Sequence, residues 1–476
     1  MKYIPFILLT CFLWTCKNDV KNTSQESVEY TKDDFVLPDW AKNATIYEAN
    51  IRHMSEEGNF DGLTQQLPRL KEMGMDIIWL MPIHPISMIK RKAKGDLNVE
   101  DIEDPEEREL YLGSPYSVAD YKKVNPDYGT MDDFKALLKT AHDLGQKVII
   151  DWVPNHTGWD NPWITEHPEW YTQDSLGNII DPIDYNTGKS WGWTDVADLN
   201  YDNKEMRAAM IETMKFWLTD VGIDGFRVDV AHGIPQDFWD EATPELMKAK
   251  KDVFLLAESE VPSNRNNKTF HMDYGWAFHH LINDIAKGHK KASAIDSFMI
   301  KDNETFREGF HMYFTSNHDE NTWAGTVFDR MGDADKVMFV LCSTFDGMPL
   351  VYSGMEEPMT KRLAFFVKDN IGFKNYAYAD FFKTLFDLKH KNQALWNGEY
   401  GGKYKSILKH DHVFAYEREK NGDKVVCFLN LSDKPQTIKV PYDIQMEDIF
   451  AEEKVSWSEG QALTIAPWQY YVLSNK

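Results

Sequence analysis

Cysteine is scarce in this chain of 476 residues, with four in all: Cys11, Cys16, Cys342 and Cys427. Two fall near the N-terminus, and the other two sit in apolar runs that suit buried thiols. No C-x-x-C pair occurs, so neither a disulfide framework nor a cysteine-based metal site is encoded. Positive charge is also in short supply. The 52 Lys and Arg face 76 Asp and Glu, for a formal net charge of −24. That balance argues against nucleic-acid binding and against electrostatic docking on anionic lipid, and it suits a neutral or cationic ligand. Beyond the N-terminal leader, no apolar run is long enough to cross a membrane.

What is present fits a large folded chain. Hydrophobic residues make up 42% and aromatics 13%, enough for a sizeable core. The length suits one large α/β barrel plus something smaller. Residues 1–16 read as a targeting segment. Lys2 is the basic start, residues 4–14 are mostly apolar, and polar Lys17-Asn18-Asp19 follows. The segment resembles a bacterial lipoprotein signal, with Cys16 as the lipidated residue and Cys11 as a second candidate. It implies export and an N-terminal lipid anchor in a membrane. The alternative is an ordinary signal peptide cleaved nearby. Residues 17–35 are polar and read as a flexible tether.

Strand and helix patterns then alternate. Residues 45–51 and 75–81 read as strands around a helix bearing Leu63, Leu67, Leu70 and Met73 at helical spacing. Thr130 and Asp133 form a capping-box pattern ahead of a helix, and 147–151 is the next strand. Residues 157–200 break the alternation and read as an inserted loop subdomain. Asn203 caps another helix. Strands follow at 223–229, 253–257, 270–273, 312–315 and 348–352. Eight strands alternating with helices imply a (β/α)₈ barrel. From about His390 the pattern becomes all-β, with an Asn421-Gly422 turn joining two alternating strands. The expected organisation is a catalytic barrel over 36–390 and a C-terminal β-sandwich domain over 391–476.

Function sites of such barrels lie at the C-terminal ends of the strands. There the sequence places Asn155 and His156, Arg227 and Asp229, Glu258, and His318 and Asp319. Two carboxyls flanking an acetal bond are what glycoside hydrolysis requires, one as nucleophile and one as acid/base. Arg227, two residues before Asp229 on a strand, shares its face and would hold it ionised. Glu258 follows an apolar run, and desolvation there would raise its pKa.

These segments, in this order, resemble the α-amylase family, glycoside hydrolase family 13. Residues 151–156, 225–229, Glu258 and 317–319 match its signature segments, with support from 113–121, 198–200 and 347–356. The resemblance implies Asp229 as nucleophile, Glu258 as acid/base and Asp319 as the third acid. It also implies that Tyr116, His156, Arg227 and His318 contact the reacting sugar. It implies an α-glucan or oligosaccharide substrate and a retaining mechanism, with the two carboxyls about 5–5.5 Å apart. Where relatives often carry Lys-His, this chain has His232-Gly233, so His232 is the substitute ligand. Asn155 and Asp198 match two ligands of a structural calcium, with a carbonyl near Gly233 as a third. Oxygen donors suit that ion. Trp152, Trp159, Trp163, Trp170, Trp191 and Trp193 serve either as sugar platforms or as a private core for the long loop. An α-glucosidase or cyclomaltodextrinase, a glucan transferase, and an inactive glycan-binding barrel are the alternatives.

Overall fold

Eight apolar segments become the staves of a closed parallel barrel. A computed structural model describes residues 34–95, 97–184 and 187–476. The expected leader, the lipidation candidate Cys16 and nearly all of the expected tether lie outside the described residues. The staves are β1 (Ile46–Ala49), β2 (Ile77–Leu80), β3 (Lys147–Trp152), β4 (Gly225–Val228), β5 (Phe254–Ala257), β6 (Met272–Tyr274), β7 (Phe310–Tyr313) and β8 (Gly347–Tyr352). They pair in sequence order, and β8 closes on β1 through Ile46↔Leu350 and Tyr47↔Val351. The runs are apolar on both faces because both are covered. Ile46, Ile77, Trp79, Ile149, Leu256, Met272 and Leu350 fill the interior. Their neighbours Tyr47, Ile78, Ile150, Leu255 and Val351 face the helical layer.

Local signals place the helices. Helix α1 (Phe60–Glu72) starts where the Asn59 side chain accepts the Gly62 N–H. Helix α2 (Met131–Asp143) starts at the Thr130–Asp133 capping box, with both reciprocal bonds made. Helix α3 (Lys204–Phe216) is capped by Asn203. After β5 only a short helix, Pro262–Asn266, intervenes, so that segment of the outer layer is reduced.

Between β3 and α3 the chain makes small antiparallel pairs, among them His156–Gly158 with Val196–Asp198. Trp152 and Trp170 are buried, and Trp159 and Trp163 pack against the same core. Four of the six tryptophans noted in this region are therefore structural. Trp191 and Trp193 stand 53% and 37% exposed.

The C-terminal domain has eight strands: β9 (Tyr404–Leu408), β10 (Val413–Lys420), β11 (Asp423–Asn430), β12 (Gln436–Lys439), β13 (Ile444–Asp448), β14 (Glu453–Trp457), β15 (Ala462–Ile465) and β16 (Tyr470–Ser474). Six form one antiparallel sheet, and the pair β12 and β15 forms a second. Between them lie Val413, Ala415, Val426, Phe428, Ile438 and Ile465, the core of a sandwich. Buried Arg418 joins this domain to the barrel. It donates to the carbonyls of Phe345, Trp396 and Gly402 at 2.5, 3.0 and 2.7 Å.

Candidate active site

The interior positions of the barrel are apolar low down and polar at the C-terminal rim. Along β1, Ile46 is followed two residues later by Glu48. In the same way Ile149 is followed by Asp151, Leu256 by Glu258 and Met272 by Tyr274, while Gly225 leads to Arg227 and Asp229. The two-residue period of a strand thus sets a polar layer on an apolar one, without any change in backbone direction.

Arg227 is the centre of that layer and is completely buried. Its Nη1 donates to Asp151 Oδ1 at 2.8 Å and to Asp229 Oδ1 at 2.9 Å. Its Nη2 lies 2.8 Å from Glu258 Oε1. Its Nε donates to the Tyr274 hydroxyl at 3.1 Å. The guanidinium also lies 5.1 Å from the centre of the Trp79 ring, within cation–π range. Three strands therefore deliver three carboxylates to one cation.

One positive charge cannot balance three carboxylates out of water. Burial lifts Asp151 to about 6, against the pull of Arg227. Burial and then the charge of Glu258 push Asp229 well above the usual carboxylate range. Burial pushes Glu258 up as well, but Arg227, the Val230 amide and the charges of His318 and His232 outweigh it, and it ends below its usual value. Asp229 and Glu258 titrate as a pair, and the proton they retain belongs to the pair. The surroundings push the two carboxyls in opposite directions, Asp229 up and Glu258 down, where the sequence expectation is an ionised Asp229 beside a protonated Glu258. The cause is geometric. Glu258 has a guanidinium nitrogen of its own and accepts the Val230 N–H at 2.8 Å, whereas Asp229 shares Nη1 with Asp151.

The Val230 amide reaches Glu258 through strain. Val230 is β-branched yet adopts φ 45° and ψ 39°, a left-handed conformation that costs on the order of 1–3 kcal/mol. The kink directly after Asp229 turns the chain off the strand and aims this N–H at the carboxylate.

A second buried pair flanks the first. His318 Nδ1 lies 2.5 Å from Glu48 Oε1, and its Nε2 lies 2.9 Å from the Tyr116 hydroxyl and 3.3 Å from Asp319 Oδ2. Burial would lower this imidazole, but Asp319 and Glu48 outweigh it and hold it up at about 9. Tyr116 also donates to Asp151 at 3.2 Å, which ties the two networks together. Asp319 is the most open of the three predicted acids, with 35% of its side chain exposed. His156 is buried, falls to about 4 through desolvation, and packs edge-on against Trp193 at 5.8 Å. His232 is exposed, with Nδ1 3.3 Å from the Glu258 carbonyl.

All the residues expected to contact substrate thus sit on one rim. Asn155 and Asp198 lie just beside it. The Asn155 amide nitrogen engages His156 at 3.2 Å, and its Oδ1 faces Gly233, 3.0 Å from where a Cβ would stand on that glycine. Buried Asp198 pairs in register with His156. Among the described residues no group of three His, Cys, Asp or Glu is arranged to hold a metal ion. Sequence reasoning missed Glu48 and the role of Asp151 as the second acceptor of Arg227. The available signal was parity: each is an acid at an interior position of an otherwise apolar stave.

A (β/α)₈ barrel with paired carboxyls and a third acid at its C-terminal rim is the arrangement that a glycoside hydrolase uses. Comparison with known proteins specifies which kind. Residues 35–404 match the α-amylase catalytic domain, and residues 406–472 match the maltogenic amylase C-terminal domain. The chain belongs to the α-amylase family. It is 26% identical to α-amylase 3 of Dictyoglomus thermophilum, over 86% of this chain and 89% of that one. It is 24% identical to a cyclomaltodextrinase of Thermoanaerobacter pseudethanolicus, over 93% and 79%. A noncanonic maltogenic α-amylase from Thermotoga neapolitana superposes with a TM-score of 0.78 at 26% identity, covering 92% of this chain and 99% of that one.

Folding raises His318 above the ordinary value near 6.5 for histidine. Its contribution to stability is therefore complete below about pH 6.5 and is lost as pH rises through about 9. Glu48→Gln removes the carboxylate on Nδ1. The His318 imidazole should then titrate at least about one unit lower by NMR. An unshifted titration would show that Glu48 does not set its charge.

Proposed function

We propose that this enzyme hydrolyses α-glucosidic bonds, mainly α-1,4, in starch-type glucans or maltooligosaccharides through a covalent glycosyl-Asp229 intermediate. The observation that carries the reading is the shared guanidinium. With Asp229 and Glu258 each paired to a terminal nitrogen of Arg227, both carboxyls face one space at the rim. The reading takes them as the pair about 5–5.5 Å apart that double displacement uses, whereas an inverting pair stands roughly 6.5–9.5 Å apart to admit a water.

In the first step Asp229 attacks the anomeric carbon. The bond to the leaving oxygen breaks, and Glu258 gives that oxygen its proton. In the second step Glu258, now a carboxylate, takes a proton from water. The water oxygen bonds to the anomeric carbon and Asp229 departs, so two inversions give net retention. The free pair shares its proton, and substrate fixes it on Glu258. A leaving-group oxygen set against Glu258 separates that carboxylate from Arg227 and removes what holds its pKa down. Asp229, facing the electron-poor anomeric carbon, becomes the better site for negative charge.

The remaining groups hold the sugar. Tyr116 offers a ring face, His156 and charged His318 hydrogen-bond hydroxyls, and Asp319 accepts from hydroxyls and strains the ring toward the transition state. His232 lies on the leaving-group side, beside Glu258. An α-glucosidase, cyclomaltodextrinase or transferase would use the same acids and differ only in the acceptor of the glycosyl-enzyme. The described relatives include a cyclomaltodextrinase and a maltogenic amylase, which keeps short maltooligosaccharides and cyclic dextrins within the substrate class. A structural calcium is part of the same reading, held by Asn155, Asp198 and the backbone near Gly233. Oxygen donors of this kind suit it, and it would brace the inserted subdomain against the rim.

Asp229→Asn keeps the size of the side chain but removes the nucleophile. Turnover of maltotriose should fall by roughly four orders of magnitude or more, while calorimetry still records oligosaccharide binding. A variant that kept cleaving would refute the assignment. For the cation, adding calcium after chelator treatment should raise the melting temperature, and Asn155→Ala should abolish that rise. An identical melting temperature with and without calcium would dismiss the site.

A further inference from the structure

Six arginines are buried among the described residues, and five of them pair with a carboxylate. Arg207 meets Asp237, Arg265 meets Asp273, Arg330 meets Glu320, Arg418 meets Asp346, and Arg227 holds the catalytic cluster. Arg52, 4% exposed, pairs with none. Its Nη1 donates to the carbonyls of Gly113 and Phe365 at 3.3 and 2.9 Å. Its Nε and Nη2 have no protein acceptor. Those two nitrogens share one edge of the guanidinium, and their N–H bonds run parallel. That edge is the one that grips an oxyanion with two bonds at once.

Arg52 belongs to a clasp. Together with His53 it follows β1 and reaches the loops after β2 and β8. The His53 Nε2–H donates to the Ala364 carbonyl at 3.0 Å, and its Nδ1 accepts the Asp369 N–H at 3.1 Å. Both ring nitrogens are thus committed, and burial drops this imidazole to about 3. Arg52 is therefore the charge in the clasp. The acids nearby are committed elsewhere. Asp369 accepts from Lys361 and from the Ala364 N–H, and Glu48 accepts from His318. Arg52 lines a cavity of about 320 Å³ with Asn50, Pro115, Phe365 and His318. The two charged side chains in its wall, Arg52 and His318, are both cations.

A guanidinium stays charged at any pH the fold survives, and out of water such a charge is tolerable when it is paired. Here the wall of the cavity supplies no carboxylate to pair it. We propose that this cavity is a binding site for a small oxyanion of the carboxylate class, held by two parallel bonds from Nε and Nη2 of Arg52. Formate has the size and the pair of oxygens. Both donors are shut away from bulk solvent, so the site takes a free ion and not a charged group carried on a glucan chain. The ion completes the clasp. Arg52 already joins the loops after β2 and β8, and Tyr116 lies on the first of these, three residues beyond Gly113. The bound anion braces the rim from behind and takes no part in the bond chemistry proposed above.

The experiment is a thermal melt of the intact chain in a chloride buffer, with chloride exchanged for formate at constant ionic strength. So small a ligand binds no tighter than about 1 mM, so formate is carried to about 100 mM. The melting temperature of the wild type should rise by about 2 °C along a saturating curve. Arg52→Met keeps the length of the side chain without its charge, and the saturating rise should vanish. Arg52→Lys keeps the charge without the fork, and the preference for formate over chloride should be lost. A wild type that melts alike in formate and chloride overturns the site, and this arm needs no variant. A saturating rise that persists at full size in either variant also overturns it. Should Arg52→Met fail to fold, the wild type and Arg52→Lys decide the matter. No sugar enters these melts, so their outcome is separate from that of the proposed hydrolysis.

Discussion

One buried guanidinium holds the rim of this barrel together. Arg227 is a charge with no contact with water, and such a group is tolerable only when it is paired on every side. It is paired by Asp151 from β3, Asp229 from its own strand, Glu258 from β5 and the Tyr274 hydroxyl from β6. Each partner depends on the cation in turn, because three carboxylates in a dry site repel one another. The register of four neighbouring staves is therefore tied to a single side chain. The excess negative charge that remains is what keeps a proton in the cluster and makes acid catalysis available.

The rest of the site extends that constraint outward. Tyr116 links Asp151 to His318, and Glu48 holds His318 charged against Asp319. The result is a ring of alternating charge around the space a sugar would occupy. The strained Val230 completes it from the backbone. Its left-handed turn spends stability so that an amide, and not a side chain, meets Glu258.

Much of this was legible in the sequence, and the failures have physical causes. Most staves are apolar runs that lead into Pro, Gly or an acid, so their order and the polar residues at their ends could be read directly. The capping box at Thr130 was equally clear. In the C-terminal domain β10 and β11 alternate well, but β9, β13, β14 and β15 were not foreseen. Those are short strands with many exposed positions, which blurs the two-residue alternation. Glu48 was hidden because one acid in a short strand usually points to solvent, whereas in a closed barrel the interior is also a place for it. The opposite pulls on Asp229 and Glu258 were hidden for a related reason. Adjacency in sequence showed Arg227 beside Asp229, but not that Glu258 takes a guanidinium nitrogen across the barrel while Asp229 must share its own.

The central claim is that Arg227 holds two carboxyls close enough for one to attack sugar directly. The stereochemistry of the product tests this most directly. Proton NMR of a maltooligosaccharide digest, followed in the first minutes before mutarotation, should show the new reducing end appearing as the α-anomer. The β-anomer appearing first would mean single displacement by water, and the account of Asp229 as a nucleophile on a shared guanidinium would be wrong.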